Sequence, residues 1–182
     1  MPANDPTQQK AGQRRSTDGS VNGRRGDDGA WLGVLRRYLL FVAGANLLWE
    51  TAQLPLYTIW REGSSREKAV AIVHCTGGDI LIAVTALVLA LVVTGSGWPL
   101  SVAARGRVSA TALIIGVGYT VFSEWLNVAV RATWAYSDLM PVVPLLGLGL
   151  SPLAQWIAIP ITGFWWSTRG MMSATNAPPT GA

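Results

Sequence analysis

HCTGGDILIAVTALVLALVV, residues 74–93, sets a histidine, a cysteine, a threonine and an aspartate directly before fourteen residues in which Thr85 is the only polar one. At 1.5 Å per residue those fourteen reach about 21 Å, short of a hydrocarbon core of about 30 Å. A helix that completes the crossing draws Asp79 below the membrane surface. His74 then lies near the boundary, with Asp79 about 7 Å deeper.

The rest of the chain is built from similar runs. Half of the 182 residues are apolar and 13% are charged, where a water-soluble domain carries about a quarter charged. Apolar runs long enough to cross a bilayer, bounded by charge or turn residues, cover 38–60, 69–93, 108–130 and 142–166. The sequence therefore predicts an all-α integral membrane four-helix bundle occupying residues 30–169. In the fourth run PVVPLLGLGLSP, residues 141–152, reads as an interrupted helix that restarts with Ser151 as N-cap and Pro152 at the first helical position. Such a break persists in a membrane only where backbone is buried in protein or lines a cavity. Pro55 is expected to bend the first helix. Residues 1–29 hold almost no large apolar side chains and are expected to be a disordered tail, with residues 170–182 as a second. The first tail lacks the short apolar segment and small-residue cleavage site of a secretory signal.

Lys and Arg set the orientation. Ten fall on the side of the two tails and the Arg105 loop; four, Arg61, Arg66, Lys68 and Arg131, fall on the other. Both termini are thus expected in the cytoplasm. Twelve Arg against two Lys, with abundant Ala, Val and Gly, suits a bacterial chain and hence a multi-pass protein of the inner membrane. The net charge of +4 follows from this topology and from attraction to the lipid bilayer. Nucleic acid is not expected as a partner, because the basic residues are diluted by Gly and Asp and lack interleaved aromatics. The single cysteine, Cys75, rules out a disulfide within the chain.

The same depth count places Glu50 about 12 Å and Glu124 about 9 Å from the outer ends of their spans. Three carboxyl groups on three helices fall in one half of the membrane. Asn46, Glu50, Gln53 and Tyr57 share a stripe of the first helix. Thr120, Glu124 and Asn127 share one on the third, Thr76 and Asp79 on the second, and Ser151 and Gln155 on the fourth. Stripes of this kind have one sensible direction, inward. Interhelical hydrogen bonding accounts for Asn46, Thr76, Thr120 and Ser151. It is a weaker account of the acids, since a carboxylate at mid-helix costs about 3 kcal/mol and a polar contact returns about 0.6.

Trp60, Trp98, Trp165 and Trp166 fall at span ends, where the membrane interface explains them. Trp49 and Trp125 are read as packing or lipid-facing, because neighbouring helix positions diverge by about 100° from Glu50 and Glu124. After the third span, Trp134, Tyr136 and Asp138 lie on the side of the buried acids and could cover them.

Acids without Lys or Arg among them can deliver a proton, hold a metal, or stabilise a cationic ligand or intermediate. The leading expectation is an enzyme performing acid/base chemistry on a hydrophobic, lipid-like or isoprenoid substrate. Glu50 or Asp79 would be the acid, Glu124 the partner base or cation stabiliser and His74 a neighbour tuning the pair. Asn46, Gln53, Tyr57, Asn127, Trp134, Tyr136, Asp138, Ser151 and Gln155 are the expected substrate-binding residues. A metal held by His74, Asp79 and Glu124 is an alternative without an HxxxH or ExxH pair to support it. No cofactor is expected, and haem with two His ligands is excluded by the single His. A small proton-coupled transporter, assembled as a homo-oligomer, and an accessory subunit of a membrane complex are the other classes. Buried acids, Trp and an external cover in a small bundle resemble integral-membrane isomerases and cyclases of sterols, carotenoids and terpenes, but no motif carries residue roles over.

Overall fold

A computed structural model describes the backbone of residues 6–95, 97–99 and 101–175, with side chains between residues 31 and 169. Helix α1 runs Pro6–Gln53, followed by a 3-10 turn Leu54–Leu56 and the short α2, Ile59–Glu62. Helix α3 spans Ser65–Thr94, α4 Val102–Glu124 with a π-helical turn Trp125–Val130, and α5 Leu150–Thr175. Among the described residues there is no strand, only two isolated bridges, Tyr57 with Tyr136 and Val142 with Gly149.

Local chemistry sets the ends. Pro55 has no N–H to continue α1, so the chain leaves the helix two residues before it and turns. The expected bend is thus a helix end. Helix α3 opens on a capping box: the Ser64 hydroxyl accepts from Glu67 N, and the Glu67 carboxylate accepts from Ser64 N at 2.8 Å. It closes at Gly95, whose φ of +54° suits glycine. The Ser101 hydroxyl caps α4 by accepting from Ala104 N at 3.0 Å.

Three helical stretches, Trp31–Leu56, Ser65–Thr94 and Val102–Val130, are long and apolar enough to cross a membrane. They bury only 22%, 28% and 17% of their most apolar windows, so most of their apolar side chains face outward, as an integral membrane protein requires. Leu48, Leu81, Val92 and Ile114 are among those exposed. The fourth expected span, 142–166, is not among the three. Residues 142–149 are irregular, and α5 dilutes its aliphatic residues with Ser151, Gln155, two prolines and three Trp. No helix precedes the break, so the expected interrupted helix is instead a loop followed by one helix with Pro160 inside it. Ser151 does not cap that helix; it lies in the first turn.

Two helices reach into the stretches expected as tails. Helix α1 extends back to Pro6, because a helix already packed along residues 34–53 propagates without a new nucleation cost. Helix α5 runs on to Thr175; residues 1–5 and 176–182 lie outside the described residues.

Helix α1 packs on α3 and α5, and α4 packs on the same two. On α4 a buried stripe recurs every fourth residue, Ala104, Val108, Ala112, Gly116, Thr120 and Glu124, with Arg105 buried beside its first member. On α1 the buried positions are Val34, Tyr38, Val42, Asn46, Glu50 and Gln53. Both stripes are apolar at one end and polar at the other. The change falls between Val42 and Asn46, between Gly116 and Thr120, between Asp79 and Ala83 on α3, and between Gln155 and Ile159 on α5. All four helices thus meet in a dry half, where Tyr38, Ala86, Trp98, Val108, Trp156 and Phe164 belong to one cluster, and a polar half. Trp98 is part of that dry core at 3% exposure, against the expectation of an interfacial position. Its ring lies edge-on to Trp31 and Phe164.

Candidate functional site

The polar half encloses a cavity of about 820 Å³, within the range of small-molecule sites. One wall of it is built by α5. Gln155 Nε2 donates to Asn46 Oδ1 at 2.8 Å, Glu50 Oε1 at 3.0 Å and Asp79 Oδ2 at 2.9 Å. Two carboxyl groups from different helices therefore meet at one amide nitrogen. Gln53 Nε2 donates to Glu50 Oε1 at 2.7 Å and to Gln155 Oε1 at 3.2 Å. Ser151 donates to Gln53 Oε1 at 2.8 Å and accepts from Trp49 Nε1 at 3.2 Å. The other Asp79 oxygen accepts from Trp156 Nε1 at 3.2 Å.

The third acid stands apart from this network. The Tyr136 hydroxyl donates to Glu124 Oε2 and accepts from Gly149 N at 2.8 Å. Glu124 is the last α-helical residue before the π turn, a local change of pitch that recurs at functional positions. Tyr136 belongs to a strap, residues 131–138, pinned to the turn after α1. Thr58 N donates to Ala135 O at 3.0 Å, Ser137 N to Leu56 O at 2.9 Å, and Ser137 Oγ to Pro55 O at 3.0 Å. The Tyr57 and Tyr136 rings lie 5.7 Å apart. Burial first, and then its bond to Glu124, hold the Tyr136 phenol above its ordinary range, so it stays a donor at neutral pH. Tyr57 is pushed the same way, by burial and by the Glu124 charge.

The expected residues fall into four groups. Glu50, Gln53, Asp79, Asn46, Ser151 and Gln155 form the first network; Glu124 and Tyr136 form the second. Tyr57, His74, Asn127 and Trp134 line the cavity outside either network. Asp138 is exposed and lines no part of it. Of the residues assigned to interhelical bonding, Asn46 and Ser151 do join α1 to α5. Thr120 instead bonds Gly116 O of its own helix at 3.0 Å, and the buried Thr76 hydroxyl has no partner. Asn127 likewise bonds within its own helix, to Ser123 O at 2.9 Å.

Among the described residues no three of His, Cys, Asp and Glu stand close enough to hold a metal ion, so His74, Asp79 and Glu124 do not assemble as the alternative required. Trp156 is the residue that sequence reasoning missed. A buried indole N–H needs a partner, and Trp156 next to Gln155 on the polar stripe of the fourth run was a readable sign of one. Its partner, Asp79, was not readable, because nothing local links α5 to α3. Comparison with known protein families, with curated proteins and with solved structures finds no match.

Proposed function

We propose that the chain is a four-span enzyme of the bacterial inner membrane, both termini cytoplasmic, performing acid/base chemistry of the isomerase or cyclase type on a lipid-like or isoprenoid substrate. The observation that carries this reading is the convergence of Glu50 and Asp79 on one Gln155 nitrogen in the wall of a cavity that Glu124 also lines. That nitrogen has two hydrogens and three acceptors. One acceptor is therefore left over at this point, and in this reading Glu50 or Asp79 is the general acid that delivers the proton. Glu124, with Tyr136 donating to it, is the separate group that accepts a proton from the substrate. Delivery at one position and removal at another is what moving or closing a carbon–carbon double bond requires. His74 lines the same cavity and is exposed.

A transporter would need a polar path beyond Asn46. The gap there, among Val42, Ala83, Trp156 and Ile159, has no room for water. An accessory subunit would turn its polar groups toward a partner, whereas these bond to one another. The test is expression of Glu50→Gln, Asp79→Asn and Glu124→Gln in the native host, with comparison of lipid extracts. Each lost proton-transfer group is expected to slow product formation by about 10²–10⁴-fold. Unchanged products in all three variants would overturn the proposal.

A further inference from the structure

On the flank between α3 and α4 the cavity is lined by side chains that also reach the outer surface. Toward α1 and α5 it is sealed by the bonds of Trp49, Gln53, Ser151 and Gln155, and the strap is fixed to the turn after α1. Between α3 and α4, no side-chain hydrogen bond is formed among the described residues. On this flank His74 and Tyr119 both line the cavity and are exposed, Tyr119 by 49%. They belong to helices apolar enough to cross a membrane, so Tyr119 and its exposed neighbour Phe122 lie at acyl-chain depth, while His74 and the exposed Val73 lie near the membrane boundary. Cavity-lining positions on α3 run from Glu67 to Ile82, about 22 Å along the axis. A volume of about 820 Å³ spread over that length is a narrow slot, not a globe.

We infer that the cavity is a side-opening slot between α3 and α4, entered from within the bilayer by a single elongated apolar chain with a polar end. The polar end stays at the charged rim of Glu62, Glu67 and Arg131, and the chain passes His74 and Gly78 to reach Glu50 and Asp79. The inference rests on the membrane reading above and names its substrate class, but it concerns binding and not turnover.

Two adjacent glycines provide the test. Gly78 lines the slot and Gly77 does not, and an added Cβ at either meets nothing within 4 Å. The protein in lipid nanodiscs is photolabelled with a diazirine-bearing long-chain alcohol, and labelled peptides are mapped by mass spectrometry. Labelling is expected at slot residues such as Cys75 and Ser123, competed by the unlabelled alcohol. Gly78→Leu should weaken that competition about tenfold or more, the effect of displacing roughly two buried methylenes. Gly77→Leu should leave it unchanged. Glu50→Gln should keep the labelling even where product formation is lost, so failure of the chemistry and failure of the slot give different results. Should Gly78→Leu not fold, Tyr119→Ala, which widens the opening, is expected to speed labelling. Labelling confined to the lipid-facing side, or equally competed in both glycine variants, would overturn the inference.

Discussion

Replacing Gly116 with alanine drives a methyl group into the Trp156 ring. An ideal Cβ at this position lies 2.5 Å from Cζ3 and 2.6 Å from Cε3. These are atoms of a rigid indole, so the whole ring must retreat by about 0.9 Å to regain ordinary contact. The same ring holds Asp79 through Nε1 at 3.2 Å, a bond already near the limit of a useful length. Overpacking costs about 1–3 kcal/mol. Losing a hydrogen bond to a carboxyl group costs about 1.5–3. Replacing a helical glycine returns about 0.5–1. The net expectation is destabilisation by about 3 kcal/mol. Gly118, two residues on, has nothing within 4 Å of its Cβ and should show only the helix gain. The two variants should therefore differ by roughly 4 kcal/mol. Reversible unfolding in mixed micelles, followed by circular dichroism, measures the difference. Combining Gly116→Ala with Trp156→Leu should recover part of the loss, since the two changes act on one contact. If Gly116→Ala and Gly118→Ala agree within about 0.5 kcal/mol, α4 and α5 do not meet at this point, and the position assigned to Asp79 fails with them.

Two further predictions concern the two acid networks. Gln155→Leu removes the donor shared by Glu50, Asp79 and Asn46, and leaving buried polar groups unpaired is expected to cost about 1–3 kcal/mol each; in the same unfolding assay, a loss no larger than that of a surface substitution would contradict the network. Tyr136 and Tyr57 are both held above the ordinary phenol value of about 10. As pH rises past 10 the unfolded chain therefore ionises while the folded chain keeps its protons. The stability they contribute is present below that pH and lost above it. Unfolding measured at pH 9 and pH 11 should show a smaller alkaline loss in Tyr136→Phe than in the natural protein; equal losses would show that Tyr136 is not buried against Glu124.

Much of this molecule was legible because membrane helices obey local rules. Length and hydropathy marked three spans, and spacing put Asn46, Glu50 and Gln53 on one stripe of α1 and Thr120 and Glu124 on one stripe of α4. Each of those conclusions depends only on the pitch of a helix and the cost of an acid in hydrocarbon. The failures lie where local rules are silent. The fourth run was read as an interrupted helix because its prolines and glycines break regular structure, but they do not say whether helix or loop lies before the break. Trp98 was assigned to an interface by its place at a span end, and packing with Trp31 and Phe164 buried it instead.

The amino-acid order by itself determined which faces are polar and where along each helix the polar positions fall, since both follow from residues a few positions apart. Tertiary structure alone decided which acids become neighbours. Gln155 joins Glu50 to Asp79, and Tyr136 claims Glu124, across separations of 105, 76 and 12 residues. A hydrogen bond fixes partners only within about 3 Å. Which groups come that close depends on how four helices rotate and slide against one another, and no stretch of sequence encodes that in isolation.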